Sequence, residues 1–367
     1  MNSLRNIAVL LAITWSVFGA VSAEESYGAC ETPNGAPGEC MLIQKCTELY
    51  NTVVKPNLED AEILFLRRSR CGEFGKSVLV CCPDPPNNNR GELPLPPNCG
   101  NSSLAGRIFG GVSTDIDEFP WTALLIYTKA NGEKGFHCGG SLINDRYVLT
   151  AAHCVSKEAL PANWRLSAVR LGEWNLDTPQ DCQFDRNGNK LCSGSHIDFS
   201  IEEEICHPLY NDAAKKYDIA LLRLQEKVNF NDFTSPICLP VNTNSSVSNY
   251  EGVTMGIAGW GSTETSRNSV KKLKALIRGQ NLERCKAKYN IDIDNTQLCV
   301  GGEKGVDTCK GDSGGPLMLI QSYNGRESCL LIGITSFGPR VCGQEGFPGV
   351  YTRVDAFISW IQSTITK

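Results

Sequence analysis

Eighteen cysteines in a chain of 367 residues set the first limit on this sequence. The number is even and far above cytosolic usage, so the chain suits an oxidising compartment in which cysteines bond one another. Six of them lie between Cys30 and Cys82, ending in the adjacent pair Cys81-Cys82. A segment that short cannot stand on a hydrophobic core alone, and three bridges would staple it. Spacing by itself does not choose among the possible pairings. A zinc site would also use clustered cysteines. No histidine precedes His137, however, and the compartment disfavours it.

The first residues supply a route to that compartment. Arg5 is the only charge before an apolar run from Ile7 to Ala20, and Val21-Ser22-Ala23 follows with small side chains. This reads as a signal peptide, residues 1–23, rather than an anchor, because the run is short for a membrane span. No later stretch is apolar enough to cross a bilayer. The formal net charge of -5 argues against a nucleic-acid partner, which calls for a basic face. Asn101-Ser102-Ser103 and Asn244-Ser245-Ser246 are acceptor sequons for glycans in a secreted chain.

Residues 83–107 are rich in proline and asparagine and read as an extended linker that contains Cys99. Beyond Arg107 short apolar runs alternate with Gly, Asn and Asp, a texture of antiparallel strands. Only the end reads as helix, with Val354, Phe357, Ile358 and Ile361 on one face.

Three local motifs carry chemistry. Leu149-Thr-Ala-Ala-His153-Cys154 sets a histidine beside a cysteine. Asp218-Ile-Ala-Leu-Leu-Arg-Leu224 opens a strand on an aspartate. Gly311-Asp312-Ser313-Gly314-Gly315-Pro316 holds a serine in a glycine-rich turn. Each alone has a bland reading: a structural histidine, a turn acid, a plain loop. Together they supply what acyl transfer needs: a nucleophile, a base for its proton, and an acid to orient the base. Their order, His, Asp, Ser, is that of one well-known triad.

With these motifs, residues 108–367 resemble the chymotrypsin-like (trypsin family) serine proteases. Arg107-Ile-Phe-Gly-Gly111, Ala258-Gly-Trp-Gly261, Ser336-Phe-Gly338 and Pro348-Gly-Val-Tyr-Thr-Arg-Val354 also match. Residues 30–82 resemble a clip domain, and the combination is similar to the arthropod easter-like and prophenoloxidase-activating proteases. The resemblance implies an all-β fold of two six-stranded antiparallel β-barrels, a C-terminal helix and a small disulfide-rich clip domain. His153, Asp218 and Ser313 would be catalytic, with the N–H groups of Gly311 and Ser313 as oxyanion hole.

Asp307, six residues before the serine, would lie at the base of the primary pocket, with Ser336, Gly338 and Gly349 along its walls. A buried carboxylate there calls for a cationic substrate residue, Arg or Lys. Phe337 departs from the family's usual tryptophan. Cleavage between Arg107 and Ile108 would free an α-amino group to pair with Asp312 and switch on a zymogen.

The same resemblance implies the pairs Cys30–Cys81, Cys40–Cys71, Cys46–Cys82, Cys99–Cys238, Cys138–Cys154, Cys182–Cys192, Cys285–Cys299 and Cys309–Cys342. It offers no template for Cys206 and Cys329, and a bond between those two stays open. Leu171-Gly-Glu173-Trp-Asn175 resembles the start of a calcium loop, with carboxylates from Glu173 and Asp181 and carbonyls near Asn175 and Thr178. Catalysis itself needs no cofactor. Implied partners are a protein zymogen as substrate, a trypsin-like activating protease, a serpin inhibitor and a cofactor docked on the clip domain, with no membrane. The pathway would be melanisation or processing of a Toll-type cytokine precursor. Other readings are a non-catalytic clip-domain cofactor, against which the three catalytic residue types stand, and a digestive trypsin, for which a clip segment has no use.

Overall fold

A computed structural model describes residues 26–33, 37–54, 58, 60–74, 77–83, 91–101, 112–184, 187–241, 250–262, 268–304, 311–323, 326–339 and 341–366. The expected leader, Arg107, Ile108, Asp307, Cys309 and Asn244 lie outside the described residues. The chain divides into two units, Met1–Asp84 and Pro85–Lys367.

The first unit is a four-stranded antiparallel sheet in the order Ser26–Glu31, Pro37–Leu42, Ser77–Pro83, Arg70–Phe74. Helices Thr47–Val53 and Asp60–Arg68 accompany it. Its core is small: Met41, Cys46, Leu49, Leu66 and Val80. Three bridges, Cys30–Cys81, Cys40–Cys71 and Cys46–Cys82, cross-link the sheet and the start of the first helix. So little apolar burial leaves covalent links as the main support.

The second unit holds two barrels. In one, the strands run Ile197–Phe199, Trp164–Leu171, Thr122–Lys129, Lys134–Leu142, Tyr147–Thr150, Ala220–Leu224, Ile201–Cys206. Its first and last members flank Ser200, so one bent strand pairs at both ends and closes six strands into a ring. Tyr147–Thr150 is buried at every position and Ala220–Leu224 at all but one, as expected of strands covered on both faces. The other ring runs Thr254–Gly259, Pro316–Tyr323, Arg326–Phe337, Gly349–Arg353, Gln297–Val300, Leu273–Gln280 and back to Thr254–Gly259. The short strand Val112–Ser113 adds to the side of Leu273–Gln280.

Val112–Ser113 lies on one barrel and Thr122–Lys129 in the other, so the arm between them crosses the seam. It is fixed by a buried ion pair, both oxygens of Glu118 accepting from Lys274 Nζ at 2.5 and 2.7 Å. The described part of the linker, residues 91–101, is held as well. Cys99 bonds Cys238, Gly91 N–H donates to Ile365 O, and Asn144 Nδ2 donates to Glu92 O.

The C-terminus forms a single 3₁₀ turn, Val354–Phe357, and then helix Ile358–Thr364, which buries Trp360 and Ile361 in the first barrel's core. It is not the only helix, which corrects the sequence reading. Besides the two in the first unit, Leu282–Tyr289 is helical. That helix is largely polar: only Cys285 is fully buried, with Leu282 and Tyr289 partly buried on the same face, a stripe too short to stand out in the sequence. Its ends carry the information: the Asn281 side chain accepts from Glu283 N–H, and Asn290 closes it in a left-handed conformation. Among the described residues no helix is long and apolar enough to cross a membrane.

Candidate active site

Tyr147–Thr150 delivers the candidate base. The strand runs straight into a 3₁₀ turn, Ala152–Cys154, with Ala152 and Cys154 buried on either side of His153. Cys154 is bonded to Cys138 on the adjacent strand, and its carbonyl accepts from the buried Tyr127 hydroxyl at 2.7 Å. The backbone of His153 therefore has little freedom. These cysteines and His153 are the one cluster with metal-ligand spacing among the described residues, but the two sulfurs are bonded to each other.

Asp218 stands just before strand Ala220–Leu224, and its side chain is 5% exposed. Its Oδ2 lies 2.8 Å from His153 Nδ1, and its Oδ1 accepts the His153 main-chain N–H at 2.9 Å. The Ser336 hydroxyl donates to Oδ2 at 2.5 Å, and the Thr352 hydroxyl donates to the Asp218 carbonyl at 2.7 Å. Burial pushes this carboxyl upward. The charge of a protonated His153 and the hydrogen bonds from His153 and Ser336 outweigh it, so the group is held below the ordinary carboxylate range. It is an acid built to stay ionised and to hold one imidazole nitrogen.

The candidate nucleophile sits on the second barrel, in the turn before strand Pro316–Tyr323. Gly311 has φ 103° and Gly314 φ 77°, a region that L side chains rarely adopt. A Cβ on Gly314 would also overlap Thr150 Oγ1 and the Gly139 carbonyl. The serine turn is thus pressed against the strand that leads to His153. Gly139 N–H donates to the Ser313 carbonyl at 2.8 Å, a second tie across the seam. Asp312 turns the other way. Its Oδ1 accepts from Gly261 N–H at 2.9 Å, and its carboxylate fills the space where Gly259 and Gly261 lack side chains.

Of the expected pocket residues, Gly338 and Gly349 face each other; a Cβ on Gly338 would lie 3.8 Å from Gly349 Cα. Ser336 is buried and its hydroxyl is spent on Asp218. Phe337 stands edge-on to Tyr289 at 5.5 Å. Cys342 is disulfide-bonded. Further bridges join Cys182–Cys192 and Cys285–Cys299. Cys206 and Cys329 are both free thiols, so they do not bond each other, and burial pushes each thiol up to about 12. Asn101 is exposed.

The expected calcium ligands gather in one loop. Trp174 N–H donates both to Glu173 Oε1 and to Asp181 Oδ2, each at 3.0 Å, so two buried carboxylates converge on one amide. Burial pushes the Glu173 carboxyl up, and the charge of Asp181 adds to it, against the pull of His196 and Arg170. The Thr178 hydroxyl donates to Asp181 Oδ1. Glu173 Oε2 also lies 3.2 Å from both Arg170 Nη1 and His196 Nδ1, and the Asn175 N–H donates to Asp181 Oδ2. Carboxylate oxygens are ligands that a hard divalent cation takes, and one bound there would have to displace part of this pairing.

Sequence reasoning missed Thr352 and the role of the Ser336 hydroxyl. They lie 134 and 118 residues from Asp218 in the chain, and no local motif joins them.

The Trypsin family matches residues 108–361, and the regulatory CLIP domain of proteinases matches residues 30–82. Serine protease ea of Drosophila melanogaster is 47% identical over 359 residues, covering 93% of this chain and 91% of its own length. Melanization protease 1 of the same species is 40% identical, covering 94% of each chain. The solved structure of the Drosophila Grass clip serine protease of the Toll pathway aligns with a TM-score of 0.68 at 33% identity. That alignment covers 93% of this chain and 98% of the other.

Proposed function

The chain belongs to the trypsin family of serine proteases and carries a CLIP domain, and from that premise we propose a secreted endopeptidase zymogen that cuts after Arg or Lys. The observation that carries the catalytic reading is the bond between His153 Nδ1 and buried Asp218 Oδ2 at 2.8 Å. With Nδ1 committed, the other ring nitrogen serves as base. Ser313 Oγ attacks the scissile carbonyl as His153 takes its proton. His153 then gives that proton to the leaving amine, and water repeats the cycle on the acyl-enzyme. Asp218 keeps the tautomer and stabilises the imidazolium. The N–H groups of Gly311 and Ser313 receive the oxyanion, a contribution typically worth about 3–4 kcal/mol per donor. No cofactor enters the chemistry.

Asp307 gives the pocket its charge and selects Arg or Lys. The facing glycines at 338 and 349 support a pocket whose walls there carry no side chains. Before cleavage the protein is nearly inactive. A cut after Arg107 frees the Ile108 amine, which pairs with Asp312, and an arginine at that position suits a trypsin-like activator. The Cys99–Cys238 bridge keeps the linker attached afterwards. Glu173 and Asp181, with carbonyls near Asn175 and Thr178, would hold calcium, which neutralises the loop and stiffens it. If chelation leaves the melting temperature unchanged, that assignment fails.

The named relatives act in melanization and in the Toll pathway, which supports a role late in an extracellular cascade of immunity or development. The substrate is then a protein zymogen or cytokine precursor. A serpin acts as inhibitor, and the CLIP domain docks a cofactor or substrate. Arg107→Gln tests the switch: the variant stays silent when treated with a trypsin-like activator, and full activity from it would refute the zymogen reading.

A further inference from the structure

The loop between strands Ile201–Cys206 and Ala220–Leu224 ends in Asp218 and is unusual in its backbone. Lys215 and Tyr217 have φ 54° and 53°, a left-handed conformation that non-glycine residues adopt only when their surroundings enforce it. Between them, Lys216 pairs in register with Asn211, each N–H donating to the other's carbonyl at 3.1 Å. The loop has the geometry of a strained hairpin, and its strain needs a counterpart.

The counterpart is on the other barrel. Lys216 Nζ is 2.6 Å from Asp294 Oδ2 and 3.4 Å from Asp292 Oδ2, with the lysine side chain only 11% exposed. Asp294 is itself held, its Oδ1 accepting from Thr296 N–H at 2.9 Å and from the Thr296 hydroxyl at 2.5 Å. Burial raises the Asp294 carboxyl, but the bonds from Lys216 and Thr296 outweigh it and keep it below its ordinary value. Buried Gln297 donates from Nε2 to the Lys215 carbonyl at 2.9 Å. Gln297 is the register partner of Thr352, which donates to the Asp218 carbonyl. Two neighbouring strands of the serine-bearing barrel, and the turn before one of them, thus grip the loop at three points, Lys215, Lys216 and Asp218.

We propose that Lys216, through Asp294, is a positioning residue for catalysis: it sets the aspartate–histidine pair of one barrel in register with the serine of the other. The inference rests on the triad reading above. A triad split between two bodies depends on their mutual placement, and a misplacement on the order of 1 Å can cost about 100-fold in rate. Lys216 touches no reacting atom. Its effect therefore falls on turnover and not on the binding of a small substrate.

The test uses the full chain cut after Arg107 and a small arginine amide. Lys216→Met is expected to lower kcat at least about 10-fold with KM within about twofold of wild type. Lys216→Arg keeps most of the activity. The exchange of Lys216→Asp with Asp294→Lys recovers most of what Lys216→Met loses. Asp294→Asn, milder toward folding, gives a smaller fall in kcat and serves if the methionine variant does not fold. Unchanged kcat in folded Lys216→Met or Asp294→Asn overturns the proposal, as does a lowered melting temperature with kcat intact. Ser313→Ala keeps the two readings apart: activity surviving there sinks the triad itself, whatever the Lys216 variants do.

Discussion

The two halves of the candidate site are built in opposite ways. The histidine–aspartate half is held by side chains: a disulfide beside His153, and a carboxylate that meets the His153 ring, the His153 amide and the Ser336 hydroxyl. The serine half is held by what is missing, with Gly311, Gly314 and Gly315 following paths that a Cβ would block. Side-chain ties make a rigid acid–base pair. A glycine turn makes a main-chain shape, whose amides can serve as donors without any side chain to carry the job.

The contrast predicts how each half breaks. Asp218→Asn leaves the hydrogen-bond geometry nearly intact but favours the wrong tautomer of the ring. Turnover of a small arginine amide by the cut chain should fall by about 10⁴-fold, with KM little changed. A fall of only about tenfold would mean that the first half does not depend on its acid.

Acid probes the same half more gently. Buried His207 stacks on Tyr217, next to Asp218, and its Nδ1 accepts the Leu209 N–H at 3.2 Å. Burial pulls its imidazole from 6.5 down to about 4. The unfolded chain takes up a proton that the folded one refuses. The stability tied to the neutral ring is complete above about pH 6.5 and is lost as the pH falls towards 4. The loss amounts to about 3 kcal/mol. Urea unfolding at pH 7 and pH 4.5 measures it, and His207→Phe should flatten the difference.

The serine half breaks differently. Gly314→Ala places a methyl against Gly139 O in a left-handed backbone and should cost at least about 2 kcal/mol of stability. Turnover of a small arginine amide should fall with it, and because the methyl also meets Thr150 Oγ1, the His153 imidazole proton resonances should shift. Parent-like activity in this variant would show that the turn relaxes freely.

The legible part of this protein was local. Leu149 to Cys154 and Asp218 to Leu224 announce themselves because a buried strand and its functional end residue are contiguous in the chain. The glycine turn is legible for the same reason, since positive φ is a demand on single positions. What the chain does not announce is the set of contacts across the seam. Ser336, Thr352 and the pair of Lys216 with Asp294 read in isolation as a pocket residue, a strand threonine and surface charges. Helix Leu282–Tyr289 escaped because its apolar face is only Leu282, Cys285 and Tyr289 among charged neighbours, although Asn281 and Asn290 marked both ends. Free Cys206 and Cys329 likewise have no local pattern that separates a thiol from a bridge.

The most direct measurement is hydrolysis by the purified chain before and after cleavage at Arg107. Arginine, lysine and aromatic peptide amides are the substrates, with Ser313→Ala beside the parent. The account predicts turnover of the arginine and lysine amides only, only after the cut, and none in Ser313→Ala. A correctly cut and folded chain that hydrolyses none of them, or a Ser313→Ala chain that still does, would contradict it.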